Sequence, residues 1–560
     1  MTTDTFLAVL RQLGDFAEIR GASHDATAWR RFAADLGHLG AAEVSRVTEL
    51  ARKNRLRELA TLPPGLHSTV RDLVLNGPDA IIGSNWASMS WLLRRLLEFA
   101  SVDSAGAAAL ARMGVVTLAD LEAALHDGRL ATHSPAEHES LRLAALTLAI
   151  ERPRQPLGRA VDLADNLTLL LAAACPEIQS LAVAGDVRRF EPMVDSVVIV
   201  GAAPDPPATL ERICAIPMIQ CAVFQTGRRV LLRYQQAEVD VRIAAPDEYG
   251  SALHLATGSA AHVAAVRGRH AVTRLCPREE DVYAQTGLAW IAPELRHDTG
   301  EIEAAAARRL PELVTREQMR GDLHMHSSYS DGRDDLAVMV QAAAALGYEY
   351  IAITDHSARA GASRTLTLEA LDRQRTEVAR LRERFPSMAI LHGVEVDIMP
   401  DGQLDFDDHV LASLDIVLAS LHDDAGHDVA RLTRRCLGAI HHPLVNVITH
   451  PANRLVGRHA GYDLDFAAVY AAAAETGTAL EIDGAPSHLD MDGEHARAAI
   501  AAGVTVTIDS DCHKASLLDR QMRLGVGTAR RGWVEPRHVL NTRPLAEVRV
   551  FLAAKRVRRR

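Results

Sequence analysis

The sequence contains no apolar run approaching the roughly 18 residues of a membrane span, and it does not open with the charged-then-apolar pattern of a secretory leader. Both absences favour a cytoplasmic protein that has no membrane partner. Cys-x-x-Cys pairs are missing as well, and the six cysteines are scattered along the chain. Scattered cysteines exclude a zinc ribbon and a disulfide framework, and they indicate reduced, buried thiols.

Lysine is scarce, and the chain is acidic overall. Lysine occurs only at positions 53, 514 and 555, and the net charge at pH 7 is −11. A chain of this charge does not coat nucleic acid by bulk electrostatics. Binding to DNA would therefore need a local basic face.

Three regions differ in residue pattern along the 560 residues, a length that suffices for three or four domains. Residues 1–150 alternate short amphipathic helical patterns with small loops, and Thr117 is predicted to cap a helix. Residues 151–318 carry short apolar and β-branched runs, whereas residues 319–560 repeat a strand–loop–helix pattern. The strands predicted in the middle region are Leu181–Ala184, Val197–Val200, Val223–Thr226, Val230–Tyr234 and Val239–Ile243. The predicted fold class is a multidomain protein with an α-helical N-terminal domain, an α+β middle domain and a C-terminal α/β barrel.

The C-terminal region contains apolar runs typical of buried parallel strands, with alanine-rich helices such as Met339–Ala345 and Ala467–Glu475 between them. The predicted strands are Tyr350–Thr354, Ala389–Leu391, Ile416–Leu418, Val445–Thr449, Ala479–Ile482 and Val504–Ile508. Repeated units of this kind indicate an α/β barrel, in which polar residues just after each strand gather at one mouth.

Metal-capable side chains stand at or near the ends of these predicted strands. They are His324, His326, Asp331, His356, Glu395, His422, His450, Asp511 and His513. Imidazole nitrogen and carboxylate oxygen suit Zn²⁺, Mn²⁺ or Fe²⁺, so the residue types do not select one metal. Clustered cations repel one another and need shared carboxylates, and such clusters activate water and clamp a phosphoryl centre. The pattern therefore predicts a multinuclear metal site with the chemistry of a phosphoesterase.

Four motifs in this region resemble the PHP (polymerase and histidinol phosphatase) domain, in the same order. They are Gly321–Gly332, Ile353–Ser357, Gly393–Glu395 and Ser510–His513. The resemblance implies a distorted (β/α)₇ barrel with up to three metals, manganese or zinc, with iron as a further possibility. By this resemblance the first metal is held by His324, His326, Glu395 and Asp511, the second by Glu395, His422 and His450, and the third by Asp331, His356 and His513.

The resemblance also implies arginines that bind substrate phosphate. Arg454 and Arg458 are the candidates, because a guanidinium pairs with phosphate through forked hydrogen bonds. The expected catalytic residues are Glu395, Asp511 and Arg454. Surface salt bridges are the alternative role for both arginines. Two departures bear on substrate choice: Asn453 stands where the family usually has Gly, and His488 where it has Arg.

The region before the barrel resembles bacterial family X DNA polymerases that carry a C-terminal PHP domain. The matching stretches are Ala184–Arg189, Val239–Arg242, Ala256–Ser259 and Gly287–Arg296. Those polymerases hold two Mg²⁺ with an Asp-x-Asp pair and a third Asp, which corresponds to Asp240. An ungapped alignment puts the pair on Ser196 and Val198. A shift by one residue recovers Asp195 but leaves Val197 in place of the second Asp. Residues 151–318 are therefore expected to be a degenerate palm- and thumb-like nucleotidyltransferase domain with remnants at Asp195 and Asp240.

The helix-hairpin-helix elements that grip DNA in that family are also eroded. Their loops use Gly-x-Gly to bring backbone N–H groups to a phosphate. Here Pro64–His67 retains one such glycine, Val102–Gly106 matches poorly and Ser134–Glu137 has none. No lysine occupies the region of the family's lyase nucleophile. Residues 1–150 are therefore expected to be a degenerate DNA-binding-like region that keeps the fold, with non-specific DNA contact left open.

Three functions follow from these patterns. The leading one is a metal-dependent phosphoesterase that acts on DNA 3′ ends in repair, as an exonuclease or a 3′-phosphatase, and has no polymerase activity. The alternative enzyme is a small-molecule phosphatase of the histidinol-phosphate type, which the loss of DNA-gripping features favours. The third is a non-catalytic DNA-binding or assembly module whose metals are structural. The nine candidate ligands count against it, because a structural metal needs only about four.

Overall fold

A computed structural model describes residues 2–78, 89–98, 101–131, 134–151, 153–219, 221–269, 275–359, 365–422 and 428–557. The chain divides into two compact units. The first comprises Met1–Arg154, Val161–Val187 and Asp195–Trp290, and the second comprises Gln155–Ala160, Arg188–Val194 and Ile291–Arg560. Among the described residues, no helix combines the length and the apolar character needed to span a bilayer.

The first part of the chain is helical, as its sequence pattern predicts. The helices are Thr3–Ile19, Ser23–Leu39, Ala41–Arg52, His67–Asn76, Trp91–Glu98, Ser104–Arg112, Leu118–Asp127, Pro135–Glu151 and Leu157–Ala174. The predicted helix cap at Thr117 is confirmed. Its hydroxyl accepts from the backbone N–H of Asp120, and the Asp120 carboxylate accepts from the backbone N–H of Thr117 at 2.8 Å. This reciprocal pair satisfies N–H groups that a helix start leaves unpaired.

A five-stranded sheet completes the first unit. In spatial order its strands are Ser180–Ala184, Val197–Ala202, Ala237–Ala244, Arg229–Tyr234 and Cys221–Gln225. All five runs predicted from their β-branched and apolar residues are confirmed as strands. The two central strands, Val197–Ala202 and Ala237–Ala244, are parallel, and their register places Val198 beside Asp240. The helices of this region are Gly185–Arg188, Pro206–Cys214, Tyr249–Thr257, Ala260–Arg269 and Glu279–Gln285.

Seven parallel strands form the barrel of the second unit, each paired with the next one in sequence. They are Gly321–Asp322, Tyr350–Ile353, Ala389–Asp397, Ile416–Ser420, Val447–Ile448, Ala479–Asp483 and Val506–Asp509. Just beyond the first and last strands, the backbone N–H of His326 donates to the carbonyl of Cys512 at 3.0 Å. The sheet is thereby nearly closed, and the predicted α/β barrel with a helical N-terminal region is confirmed.

Helices cover the barrel strands. They are Glu301–Ala306, Leu336–Ala345, Leu368–Arg384, Asp408–Leu411, Val429–His441, Phe466–Thr476, Gly493–Ala501, Leu518–Arg531 and Leu545–Val557. All six barrel strands predicted from the sequence differ in their bounds from the observed strands, and two of them differ most. The strand predicted at Val445–Thr449 is shorter, Val447–Ile448, and the one predicted at Ala389–Leu391 continues to Asp397. The second unit also contains a short antiparallel ribbon of Gln155–Pro156 and Met193–Val194. The division into three domains at residues 150 and 318 stays a prediction.

Candidate metal centre

The loop after the first barrel strand is held in one conformation by a buried carboxylate. The hydroxyls of Ser327 and Ser330 donate to the two oxygens of Asp355 at 2.6 and 2.5 Å. Gly332 turns the loop back onto itself, and a Cβ at this position would lie 2.6 Å from the backbone of Ser327. Only glycine fits there without a shift of the backbone. The loop therefore presents its histidines and Asp331 from a rigid support.

Glu395, at the end of the third barrel strand, lies at the centre of the site. Its Oε2 lies 2.9 Å from Nδ1 of His356 and 3.3 Å from Nε2 of His324. Its Oε1 lies 3.0 Å from Nε2 of His450 and 3.5 Å from Nε2 of His422. Burial by itself would raise the pKa of Glu395, but the imidazoles of His356 and His324 hold that pKa well below its ordinary value. Glu395 is therefore an ionised carboxylate shared among histidines.

Two further carboxylates complete the arrangement. Asp511 Oδ1 lies 3.0 Å from Nε2 of His326, and Asp331 Oδ1 lies 3.2 Å from Nε2 of His513. Three groups have donor atoms close enough together to share a cation. They are His324 with His326 and Asp511; His326 with Asp331, His356 and His513; and His356 with Glu395 and His422. The structure thus brings all nine residues singled out in the sequence to the mouth of the barrel.

The donor atoms fit divalent metals. Ligands at about 2.1 Å around a tetrahedral zinc lie roughly 3.4 Å from one another, which matches the spacings around Glu395 and Asp511. Burial and the charges of His513 and His356 lower the pKa of His326 to about 3, so this imidazole is neutral. Within the described ranges, its buried Nδ1 has no hydrogen-bond partner. A neutral, buried ring nitrogen without a hydrogen-bond partner is suited to binding a metal. The assignment of individual residues to individual metals stays a prediction.

Outer carboxylates fix the orientation of two of these histidines. Glu481 Oε1 lies 2.7 Å from Nδ1 of His324, and Asp397 Oδ1 lies 2.7 Å from Nδ1 of His422. A carboxylate behind a ring nitrogen sets the tautomer and aims the opposite nitrogen into the site. Neither residue was among those predicted from the sequence. The available signal was residue type, because two acidic residues, Glu481 and Asp483, stand in the otherwise apolar buried strand Ala479–Asp483.

Arg454 and Arg458 lie in the loop after the fifth strand and differ in their surroundings. The Arg454 Nε donates to the carbonyl of His488 at 2.8 Å, another nitrogen donates to the carbonyl of Leu489, and Nη1 lies 3.2 Å from Asp492. Arg458 is exposed. The contacts of Arg454 thus secure a neighbouring loop. The role of both arginines in binding phosphate stays a prediction.

Asp240, which was predicted to be a remnant of a polymerase site, lies in the first unit in different electrostatic surroundings. Asp240 is fully buried and accepts hydrogen bonds from Arg229 at 2.8 and 2.9 Å and from Arg242 at 2.7 and 3.1 Å. Burial opposes ionisation, but the two guanidiniums prevail and lower the pKa of Asp240 to about 2. Arg229 also forms a salt bridge with Asp120 at 3.0 Å. The carboxylate is thus neutralised by arginine.

Asp195 lies in another cluster of carboxylates. Its backbone N–H donates to Asp186 at 3.0 Å, and its own carboxylate lies 2.9 Å from Nε of Arg154. Burial and the charge of Asp186 raise the pKa of Asp195 to about 7. The resemblance to the polymerases places a metal-binding aspartate at position 198. Here that position is Val198, which packs in an apolar cluster with Ala184.

The barrel and its histidine-rich mouth are those of a PHP protein, and residues 322–462 match the PHP domain family. Over 528 residues the chain is 33% identical to the DNA polymerase/3′-5′ exonuclease PolX of Bacillus subtilis (strain 168), a match that spans 90% of this chain and 92% of that protein. The chain therefore belongs to the PolX family of bacterial proteins with a C-terminal PHP domain.

Other similarities cover a smaller share of the chain. A probable phosphatase of Thermoanaerobacter sp. (strain X514) is 36% identical over 143 residues, which is 24% of this chain and 56% of that protein. A crystal structure of histidinol phosphate phosphatase from Lactococcus lactis, complexed with zinc, L-histidinol and phosphate, superposes with a TM-score of 0.29. It is 20% identical, and the match covers 38% of this chain and 94% of that one.

Proposed function

We propose that this chain is a metal-dependent hydrolase of phosphate esters at DNA 3′ ends, acting as a 3′-5′ exonuclease or a 3′-phosphatase in repair. The observation that carries the proposal is the convergence of nine imidazole and carboxylate side chains, with buried Glu395 at their centre. Divalent metals bound there would lower the pKa of a coordinated water and neutralise charge on the phosphoryl group.

The side chains have separable tasks in this proposal. Glu395 supplies the negative charge that lets cations sit close together, because it is ionised and faces histidines on both of its oxygens. Asp511 and Asp331 add one carboxylate on each side. Glu481 and Asp397 keep two imidazoles aimed inward, so that binding cations requires little rearrangement.

DNA is the favoured substrate because the PolX relative, named as a DNA polymerase and a 3′-5′ exonuclease, matches nearly the whole chain. Within that framework we propose that nucleotide addition is lost here. Polymerisation needs carboxylates free to hold two metals. Asp240 is instead neutralised by Arg229 and Arg242, and its strand neighbour is Val198.

A small phosphate ester is the second candidate substrate. A relative that matches about a quarter of the chain is named as a probable phosphatase, and this supports chemistry on a small monoester. The metals and the barrel residues would serve both reactions, so a substrate comparison separates the two candidates.

The test uses purified full-length protein with Mn²⁺ and four substrates in parallel. They are end-labelled DNA with a 3′-hydroxyl, the same DNA with a 3′-phosphate, histidinol phosphate, and a primed template with dNTPs. We expect shortening or dephosphorylation of the DNA and no primer extension. Turnover of histidinol phosphate alone would favour the second candidate, and DNA retention without any turnover would favour a non-catalytic binding module.

A further inference from the structure

A cavity borders the loop that carries several of the metal-site residues. Its volume is about 730 Å³, and Tyr329 forms one wall. A volume of this size falls within the range of small-ligand pockets, about 300–1,000 Å³. Tyr329 is two residues from Asp331, and two residues of extended chain span at most about 7 Å. Thr365 and Thr367, which also line the cavity, flank Leu366, whose backbone N–H donates to the carbonyl of His356 at 2.8 Å. The cavity therefore borders two segments that carry metal-site residues.

The walls of the cavity combine an aromatic ring, an apolar floor and a cation. Leu336 and Ala370, from the first turns of two neighbouring helices, contribute to the floor, and Thr365 and Thr367 add hydroxyls. Arg373 also lines the cavity and is exposed. A ring to stack on, an apolar floor and an arginine are the features that bind a nucleotide unit without selecting its sequence.

The ring is held in place before any ligand arrives. The Tyr329 hydroxyl donates to Glu377 at 2.8 Å, and the flanking Ser330 is tied to buried Asp355. The other acidic wall residue, Asp335, accepts from Ser328 at 2.9 Å. Both lining carboxylates thus already accept hydrogen bonds from hydroxyl groups of the lining, and Arg373 offers its guanidinium to a phosphate.

We propose that this cavity is a subsite for single-stranded DNA that holds the nucleotide one or two positions to the 5′ side of the bond that is cut. In this subsite the base stacks on Tyr329 and the phosphate contacts Arg373. Each nucleotide advances about 3.4 Å along a stacked strand, as in duplex DNA, and roughly twice that along an extended one, so a reach of about 7 Å corresponds to one or two steps. The inference rests on the proposed function, because it presupposes that the barrel cleaves a DNA strand.

The experiment is a length series of single-stranded oligodeoxynucleotides, from two to six residues, cleaved by full-length protein with Mn²⁺. A nucleotide that fills the cavity raises kcat/KM at one step of the series. Stacking of one base on an aromatic ring corresponds to about 5- to 150-fold, so Tyr329→Ala should remove a step of that size. Tyr329→Phe keeps the ring and should retain the step.

Arg373→Ala should lower the slope of log KM against log salt concentration by about 0.7, the value for one phosphate contact on a single strand. Arg380→Ala, which removes an exposed arginine from the same helix outside the cavity, is the matched control and should leave the slope unchanged. An equal loss at every length in Tyr329→Ala would mean that the ring only supports the loop, and it would overturn the subsite alone. A wild-type protein that cleaves no oligonucleotide would instead overturn the proposed function and the subsite with it.

Discussion

Nδ1 of His324 and Oε1 of Glu481 lie 2.7 Å apart inside the barrel, and both side chains are fully buried. The Glu481 carboxylate also accepts from the backbone N–H of His450 at 2.8 Å. One acidic residue therefore positions two histidines that come from different strands. The other ring nitrogen of His324, Nε2, thereby lies at the centre of the site, beside Glu395 and Asp511.

Glu481→Gln should weaken metal binding by about 10- to 100-fold, because an amide holds the His324 tautomer less firmly than a carboxylate does. The measurement is a Mn²⁺ titration of activity together with metal content after dialysis. Glu383→Gln, an exposed acidic residue on the helix Leu368–Arg384, serves as the control. Wild-type Mn²⁺ dependence in Glu481→Gln would show that the contact has no role in metal binding.

Asp240→Asn should lower thermal stability and leave DNA hydrolysis unchanged. The carboxylate neutralises Arg229 and Arg242, and removal of one partner from a buried ion pair costs about 3 kcal/mol. Since the pKa of Asp240 is lowered to about 2, this stabilisation is complete above the ordinary carboxyl pKa and is lost as pH falls from about 4 to 2.

Melting temperatures of Asp240→Asn and of the exposed control Asp247→Asn at pH 7 test the stability claim. A parallel primer-extension assay tests the proposed loss of polymerase activity. Primer extension by the wild-type protein that Asp240→Asn abolishes would mean that Asp240 still serves nucleotidyl transfer.

Lys555→Met should change how stability depends on pH. Lys555 lies in the last helix, and its ammonium donates to the carbonyls of Ile440 and Val445 and to the hydroxyl of Thr478 at 2.7–2.8 Å. Burial lowers the pKa of Lys555 to about 7, from about 10.5 when exposed. The unfolded chain therefore binds more protons between these values, and the wild type gains stability as pH rises.

The gain for the wild type is about 2 kcal/mol between pH 7 and pH 9, and Lys555→Met should lack it. Melting temperatures at the two pH values measure the difference. Lys53→Met is the matched control, since Lys53 is exposed and pairs with Glu49 on a helix surface. Parallel pH profiles for Lys555→Met and the wild type would contradict the lowered pKa.

Much of the barrel site could be predicted from sequence because parallel strands end at one mouth. His422 after Ile416–Ser420 and His450 after Val447–Ile448 are positioned by that rule, whatever the lengths of the strands. Glu481 was missed because a buried acidic residue inside a strand carries no positional signal, and Asp397 was missed because the predicted strand Ala389–Leu391 ended well before it. Glu481 gains its role only through the pairing of strands that lie far apart in sequence.

Backbone strain and side-chain partners could not be read from the sequence either. His450 and Asp511 adopt positive φ values of 28° and 46°, which are unusual for residues with a side chain and cluster at functional sites. Arg454 directs its donors at Asp492 and nearby carbonyls, partners that the sequence did not specify, and its role in binding phosphate stays a prediction. A guanidinium pairs equally well with a carboxylate or with a phosphate. Only the packing of the surrounding loops determines which of the two it contacts.

The central claim is that the nine-residue mouth hydrolyses DNA ends, and removal of two of its histidines tests it most directly. The paired variant His324→Ala with His326→Ala is compared with His409→Ala and His441→Ala, two exposed histidines outside the site. Metal content and the release of nucleotide or phosphate from 3′-labelled DNA are measured for both. The account predicts loss of bound metal and of turnover by at least about 100-fold in the first pair, with no change in the second. Undiminished hydrolysis by the first pair would contradict it.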